Sequence, residues 1–354
     1  MMLSTHWKRL SRHRRHLEPI HWREAALCVP AMPILIVLGQ WNGWAAGGVV
    51  AAGAAFAVGF GAARELGGRR WGAMIGALAG MTVAAFFGTV LGQHSLVFVL
   101  AASLGAAGCA ALALHDEDLW WVVLQVVIIF FVAGYYEGPV TAAVWRSTMV
   151  AAGGTAQLAI VWALAHIFPR AAAPIISGSL KPNEDRRLLV AHMIRAALCV
   201  GASILLIAPL QLANGYWAPM TALIVLKPRL HETRIRGVAR LGGTIGGCIL
   251  ATAYAAVCRN QPILLIAGMT AAAGAAFALQ KAHYAALTAS ITATVVLLVS
   301  LGEPSPIANA EHRIVATLIG GVLALLVALI IPHSVTRSFS LADRVGVRRN
   351  ASNK

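Results

Sequence analysis

WGAMIGALAGMTVAAFFGTVLG, residues 71–92, runs without one charged side chain, with Arg69 and Arg70 before it and Gln93 and His94 after it. A helix of about 20 residues spans the roughly 30 Å hydrocarbon core of a bilayer, and this stretch has that length. Its apolar positions are continuous. A barrel strand would instead show about ten residues of alternating character.

The same texture recurs on either side. Apolar runs between charges predict helices at 24–40, 44–62, 71–92, 95–114, 119–135 and 144–168, and again at 189–208, 212–227, 238–257, 262–280, 283–300 and 312–332. The 354 residues are 59% hydrophobic and 12% charged, with a mean hydropathy of +0.74. Soluble domains carry about 25% charged residues, so a soluble fold is excluded. The reading is an all-α polytopic membrane protein of about twelve transmembrane helices.

The formal charge of +15 would point to nucleic acid in a soluble protein, but here the basic residues lie between apolar runs. With a cytoplasmic amino terminus, one side receives Lys8, Arg9, Arg12, Arg14, Arg15, Arg64, Arg69, Arg70, Arg170, Lys181, Arg186, Arg187, Lys227, Arg229, Arg234, Arg236, Arg240 and Lys281. The other side receives little beyond Arg259 and the helix-edge Arg146 and Arg313. That asymmetry is the positive-inside pattern. It places both termini in the cytoplasm, with no nucleic-acid partner. Residues 1–23 lack a small-residue cleavage site and read as a basic cytoplasmic tail, as do residues 334–354.

HWREAALCV at 21–29 returns as HMIRAALCV at 192–200, 171 residues later. Asn42, Gly43 and Trp44 face Asn214, Gly215, Tyr216 and Trp217; Arg70, Gly72 and Gly76 face Arg240, Gly242 and Gly246; Arg146, Gly153 and Gly154 face Arg313, Gly320 and Gly321. Four blocks in order indicate duplication. Each copy has an even number of spans, so both enter the membrane from the same side. The expected arrangement is two parallel six-helix repeats, 24–168 and 188–333, joined by a cytoplasmic linker at 169–187.

NGYWAPMTALIVLKP at 214–228 is followed by RLGGTIGG at 240–247. This block resembles the fusaric acid resistance protein-like (FUSC) family, related to the aromatic acid exporters, whose signature has a Tyr-Trp-Ala segment and then R-x-x-G-T-x-x-G. The latter reads Arg240, Gly243, Thr244 and Gly247 here. The resemblance implies outward movement of organic anions, aromatic carboxylic acids among them, by a gradient-driven mechanism, across a bacterial inner membrane and with a periplasmic adaptor as a partner some relatives use. The first half departs from the pattern, with AGGV where the second has PMTA, and the soluble domain of the larger exporters is missing.

Glycines four apart on a helix let another backbone approach closely, so Arg240, Gly243, Thr244, Gly247, Gly72 and Gly76 read as helix-packing motifs. In NGYWAP, Pro219 biases Ala218 away from helix and predicts a late or broken span. Tyr216, Trp217 and their counterpart Trp44 then either line a substrate path or anchor helix ends at the interface. Arg146 and Arg313 begin the last span of each half at equivalent positions. An arginine within a bilayer needs water, an acid or carbonyls, so the pair either forms an anion-binding ring between the halves, or snorkels to the interface or pairs with local acids such as Glu137 and Glu311.

No cofactor, metal or enzymatic reaction is indicated. The five cysteines are scattered without ligand spacing, and Asp116, Glu117 and Asp118 beside His115 lack partner ligands. No lysine follows a glycine, which excludes a P-loop. Rival readings are an anion channel, working as an oligomer, and a membrane scaffold that transports nothing.

Overall fold

The computed structural model describes residues 20–169, 186–258, 261–301 and 306–331. Apart from their innermost positions, the tails and the linker expected above lie outside these residues.

No β-strand occurs among the described residues. Thirteen α-helices do: α1 (Trp22–Cys28), α2 (Ala31–Trp41), α3 (Ala45–Gly59), α4 (Gly72–Gly92), α5 (Ser95–Leu112), α6 (Glu117–Tyr135), α7 (Val140–Ile167), α8 (Arg186–Ile207), α9 (Trp217–Val225), α10 (Leu230–Val257), α11 (Pro262–Ala278), α12 (Tyr284–Ser300) and α13 (Pro306–Ile330). Among the described residues, nine helical segments are long and apolar enough to cross a membrane. The expectation of about twelve counted three further segments that are shorter. Helices α11 and α12 have 17 residues each, and α9 has 9.

The helix ends have local causes. Pro30 lacks the N–H that would continue the ladder, so the first span breaks into α1 and α2. Asp116 caps α6, its carboxylate accepting from the N–H groups of Asp118 and Leu119 at 3.0 Å. Pro219 falls in the first turn of α9, where N–H groups have no intrahelical acceptor anyway, so Ala218 is helical after all. What shortens α9 is its flanks. Gln211 and Asn214 take left-handed φ values of 44° and 59°, and Leu226 is extended.

Packing follows a repeated plan. The helix pair α4/α6 has its counterpart in α10/α12, α3/α7 in α9/α13, α4/α7 in α10/α13, and α2/α3 in α8/α9. Between the two sets, α5 packs on α8 and α1 on α11. Small residues make these contacts tight. A Cβ added to Gly153 would strike the Ala51 carbonyl on α3, and one on Gly320 would strike the Ala218 carbonyl on α9. Gly243 and Gly247 likewise abut the carbonyls of Ala285 and Ala289 on α12. Gly76 meets Val122 on α6, and Gly72 the carbonyl of Leu66.

Candidate anion site

Arg146 lies two turns into α7 and turns back on the end of α6. Its Nη1 donates to the carbonyl oxygens of Tyr136 and Ala133 and to the Thr89 hydroxyl on α4. The last carbonyls of a helix have no intrahelical donors, so Arg146 caps α6. The guanidinium also lies 5.8 Å from the Tyr136 ring centre.

Arg313, its counterpart on α13, is placed differently. Only 3% of it is exposed. Nη2 donates to the Thr292 hydroxyl on α12 at 3.1 Å, and the guanidinium carbon sits 3.3 Å from the centre of the Trp217 ring. Nε and Nη1 are buried without a hydrogen-bond partner. None of the ion pairs among the described residues includes Arg313, and Glu311 nearby on α13 is exposed.

An aromatic chain connects the two arginines. The Tyr136 and Tyr216 ring centres are 6.2 Å apart, those of Tyr135 and Tyr216 5.7 Å, and those of Tyr216 and Trp217 5.3 Å. Polar contacts hold the turn before α9 in place. Tyr136 donates its hydroxyl to Asn214 Oδ1 and Tyr135 donates to the Leu212 carbonyl, both at 2.6 Å, and the Ala213 N–H donates to His312 Nδ1 at 3.0 Å. The structure therefore brings Arg146, Tyr216, Trp217 and Arg313 onto one connected path, while Trp44, 68% exposed at the turn between α2 and α3, stands outside it. Tyr135, Tyr136, Thr89 and Thr292 were not singled out from sequence. The two tyrosines end an apolar run just before a Gly-Pro turn, and that position was their only signal.

Residues 196–327 match the family model described as fusaric acid resistance protein-like. The match falls on the stretch that carries the Tyr-Trp-Ala and R-x-x-G-T-x-x-G motifs, and it supports the resemblance read from them. The matched region runs from within α8 to within α13 and includes Trp217, Arg240 and Arg313. The chain is 29% identical over 136 residues to "Uncharacterized protein ORF2" of Neisseria gonorrhoeae, covering 38% of this chain and 32% of that protein. It is 33% identical over 140 residues to "Uncharacterized protein slr1298" of Synechocystis sp. (strain ATCC 27184 / PCC 6803 / Kazusa), covering 39% of this chain and 18% of that one. The match thus spans a third or less of either relative. No solved structure matches the chain. The apolar helices, with the family match over residues 196–327, indicate a multi-pass membrane protein.

Asp118 pairs with Arg64 at 3.2 Å, and His283 caps α12, Nδ1 accepting from the Ala286 N–H at 3.4 Å. All five cysteines are free and buried. No group of metal-binding side chains occurs among the described residues.

Proposed function

We propose that the protein is an inner-membrane secondary transporter that exports organic anions, aromatic carboxylic acids among them, through a bundle of two parallel six-helix repeats with both termini cytoplasmic. The observation that carries this reading is Arg313, sunk between apolar helices, stacked on Trp217 and lacking an acidic partner. Such a cation attracts a carboxylate through its forked donors, and the aromatic chain from Trp217 to Tyr136 offers faces that suit an aromatic acid. Arg146 contributes by fixing Tyr136. Matched helix pairs and the equivalent Gly153/Ala51 and Gly320/Ala218 contacts support the two-repeat plan. Outward movement suits an anion in a negative-inside cell, which gains about 2.3 kcal/mol per 100 mV. A periplasmic adaptor is a partner this reading accommodates.

The test is benzoate efflux from vesicles containing the purified protein, with and without a proton gradient. The expected result is saturable efflux that falls steeply in Arg313→Gln. Currents at fixed potential that ignore the proton gradient would make the protein a channel instead. If wild type moves none of a panel of aromatic and aliphatic acids, the transport reading fails and the scaffold reading takes its place.

A further inference from the structure

Arg313, with Nε and Nη1 unpartnered, is one of several buried side chains with unsatisfied polar atoms where α9, α10, α12 and α13 meet. Arg240 on α10 is 4% exposed, its Nε has no hydrogen-bond partner, and none of the ion pairs among the described residues includes it. One turn further along α10, Thr244 is buried with an unpartnered hydroxyl. The same holds for Thr288 on α12, packed against Gly243, and for Thr221 on α9, packed against Gly320. The groups gather along one seam: Arg313 donates to Thr292, one turn from Thr288 on α12, Thr292 packs against Gly247 as Thr288 packs against Gly243, and the Cys248 thiol on α10 lies 3.8 Å from the Ala310 carbonyl one turn before Arg313.

A protein core does not assemble such a set for packing. Each buried hydroxyl left unpaired costs about 1–3 kcal/mol, and an unpaired charge costs more. Two like charges close together in a medium of low dielectric add repulsion. The corresponding place in the first half is filled differently. Arg70 has an Nε likewise buried without a partner, but its guanidinium stacks over Trp71, 4.7 Å from the ring centre, and an apolar side chain, Met74, occupies the position equivalent to Thr244, fully buried. Close glycine–backbone packing between α10 and α12 explains Gly243 and Gly247, but it needs neither an arginine nor threonines beside them.

We propose that Arg240 and Arg313, with the hydroxyls of Thr221, Thr244 and Thr288, form a closed carboxylate-binding site inside the second half of the chain. This rests on the transport reading only for the direction in which the anion moves; the binding site stands by itself. A carboxylate accepts from both guanidinium groups and from hydroxyls that are otherwise unpaired, so its arrival removes the desolvation cost and the repulsion together. The R-x-x-G-T-x-x-G stretch then does two jobs on one helix: its glycines seat α10 on α12, and its Arg240 and Thr244 supply donors.

Formate is the probe, because it carries the carboxylate and nothing else. Thermal unfolding of the purified full-length protein in lipid nanodiscs is followed against formate concentration, with chloride at equal ionic strength as the reference anion. Wild type is expected to unfold at rising temperature as formate is added, the mass-action signature of binding to the folded state. In Arg240→Met that rise disappears, while the unfolding temperature without formate stays the same or increases, since an unpaired charge has been replaced by an apolar side chain of similar length. Thr288→Val, which removes one hydroxyl, weakens formate binding about tenfold. An Arg240→Met variant that keeps the full formate response overturns the proposal, as does one that unfolds at lower temperature without formate while Thr288→Val binds formate like wild type. Formate binding by wild type without benzoate efflux leaves the site standing and removes the transport reading. Benzoate efflux with no formate response in wild type does the reverse.

Discussion

The guanidinium of Arg313 lies over the ring of Trp217, 3.3 Å from its centre, and the two residues come from different helices of the same half. A desolvated cation on an indole face gains about 2 kcal/mol, which fixes the side chain while leaving Nε and Nη1 free of protein partners. Trp217 therefore acts as a platform that presents donors. Trp217→Leu should remove the platform and Trp217→Phe preserve part of it. Benzoate efflux is expected to fall in the order wild type, phenylalanine, leucine, with the loss appearing as weaker apparent affinity. Equal efflux in the three proteins would mean that the stack orients nothing.

Arg146 and Arg313 occupy equivalent sequence positions and are expected to behave in opposite ways. Arg146 satisfies two carbonyl groups at the end of α6, so Arg146→Gln should cost about 2 kcal/mol of stability, the range for hydrogen bonds to a charged group. Arg313→Gln removes a charge with one hydrogen-bond partner and should cost little stability but most of the anion binding. Thermal unfolding and formate titration on both variants separate the two roles. A symmetric loss of binding in both would restore the picture of a shared ring.

Why the sequence led to a symmetric pair is instructive. Duplication is legible in residue identities such as Arg146 and Arg313, but the partners that decide their roles come from other helices. Nothing in the run Phe130 to Tyr136 says that its carbonyls will face Arg146. Membrane segments were legible because continuous apolar runs respond to one physical requirement, and every expected segment contains helix, though 24–40 breaks into α1 and α2 and 212–227 holds only the short α9. Their ends were not. Helix α10 begins at Leu230, well before the expected 238, because Glu232, Arg234 and Arg236 continue the helix as polar turns that hydropathy does not detect. Helix α9 is short because Asn214 turns left-handed in front of it, and only the Asn-Gly pair hinted at that. The polar cluster of the second half was half visible: Arg240 and Thr244 stood in a recognised motif, but Thr221 and Thr288 are single threonines in apolar runs.

Neighbouring glycines on α10 offer a sharp comparison. An added methyl group at Gly243 meets the Ala285 carbonyl and the Thr288 side chain, whereas one at Gly242 meets nothing within 4 Å. Gly243→Ala is expected to force α10 from α12 and cost about 1–3 kcal/mol. Gly242→Ala should be neutral or stabilising by up to about 1 kcal/mol through helix propensity. Unfolding temperatures of the two proteins check this directly, and equal values would show that the α10/α12 contact is not close-packed in the membrane.

At the start of α6, Asp118 and Arg64 form a buried ion pair at 3.2 Å, with the guanidinium 5.5 Å from the Trp121 ring centre. Burial lowers the pKa of Arg64 from its ordinary value, while the charges of Glu117 and Asp118 and the hydrogen bond to Asp118 act to raise it. Removing one partner strands the other, at a cost of about 3–5 kcal/mol, whereas replacing both by apolar groups of similar size is often neutral. Asp118→Asn should therefore unfold well below wild type, and Arg64→Met combined with Asp118→Leu should recover most of the loss. Because Arg64 follows α3 and Asp118 opens α6, the rescue would also establish that this pair ties two elements together by charge. A double variant no more stable than Asp118→Asn would mean instead that the carboxylate is needed for itself, in a role beyond balancing Arg64.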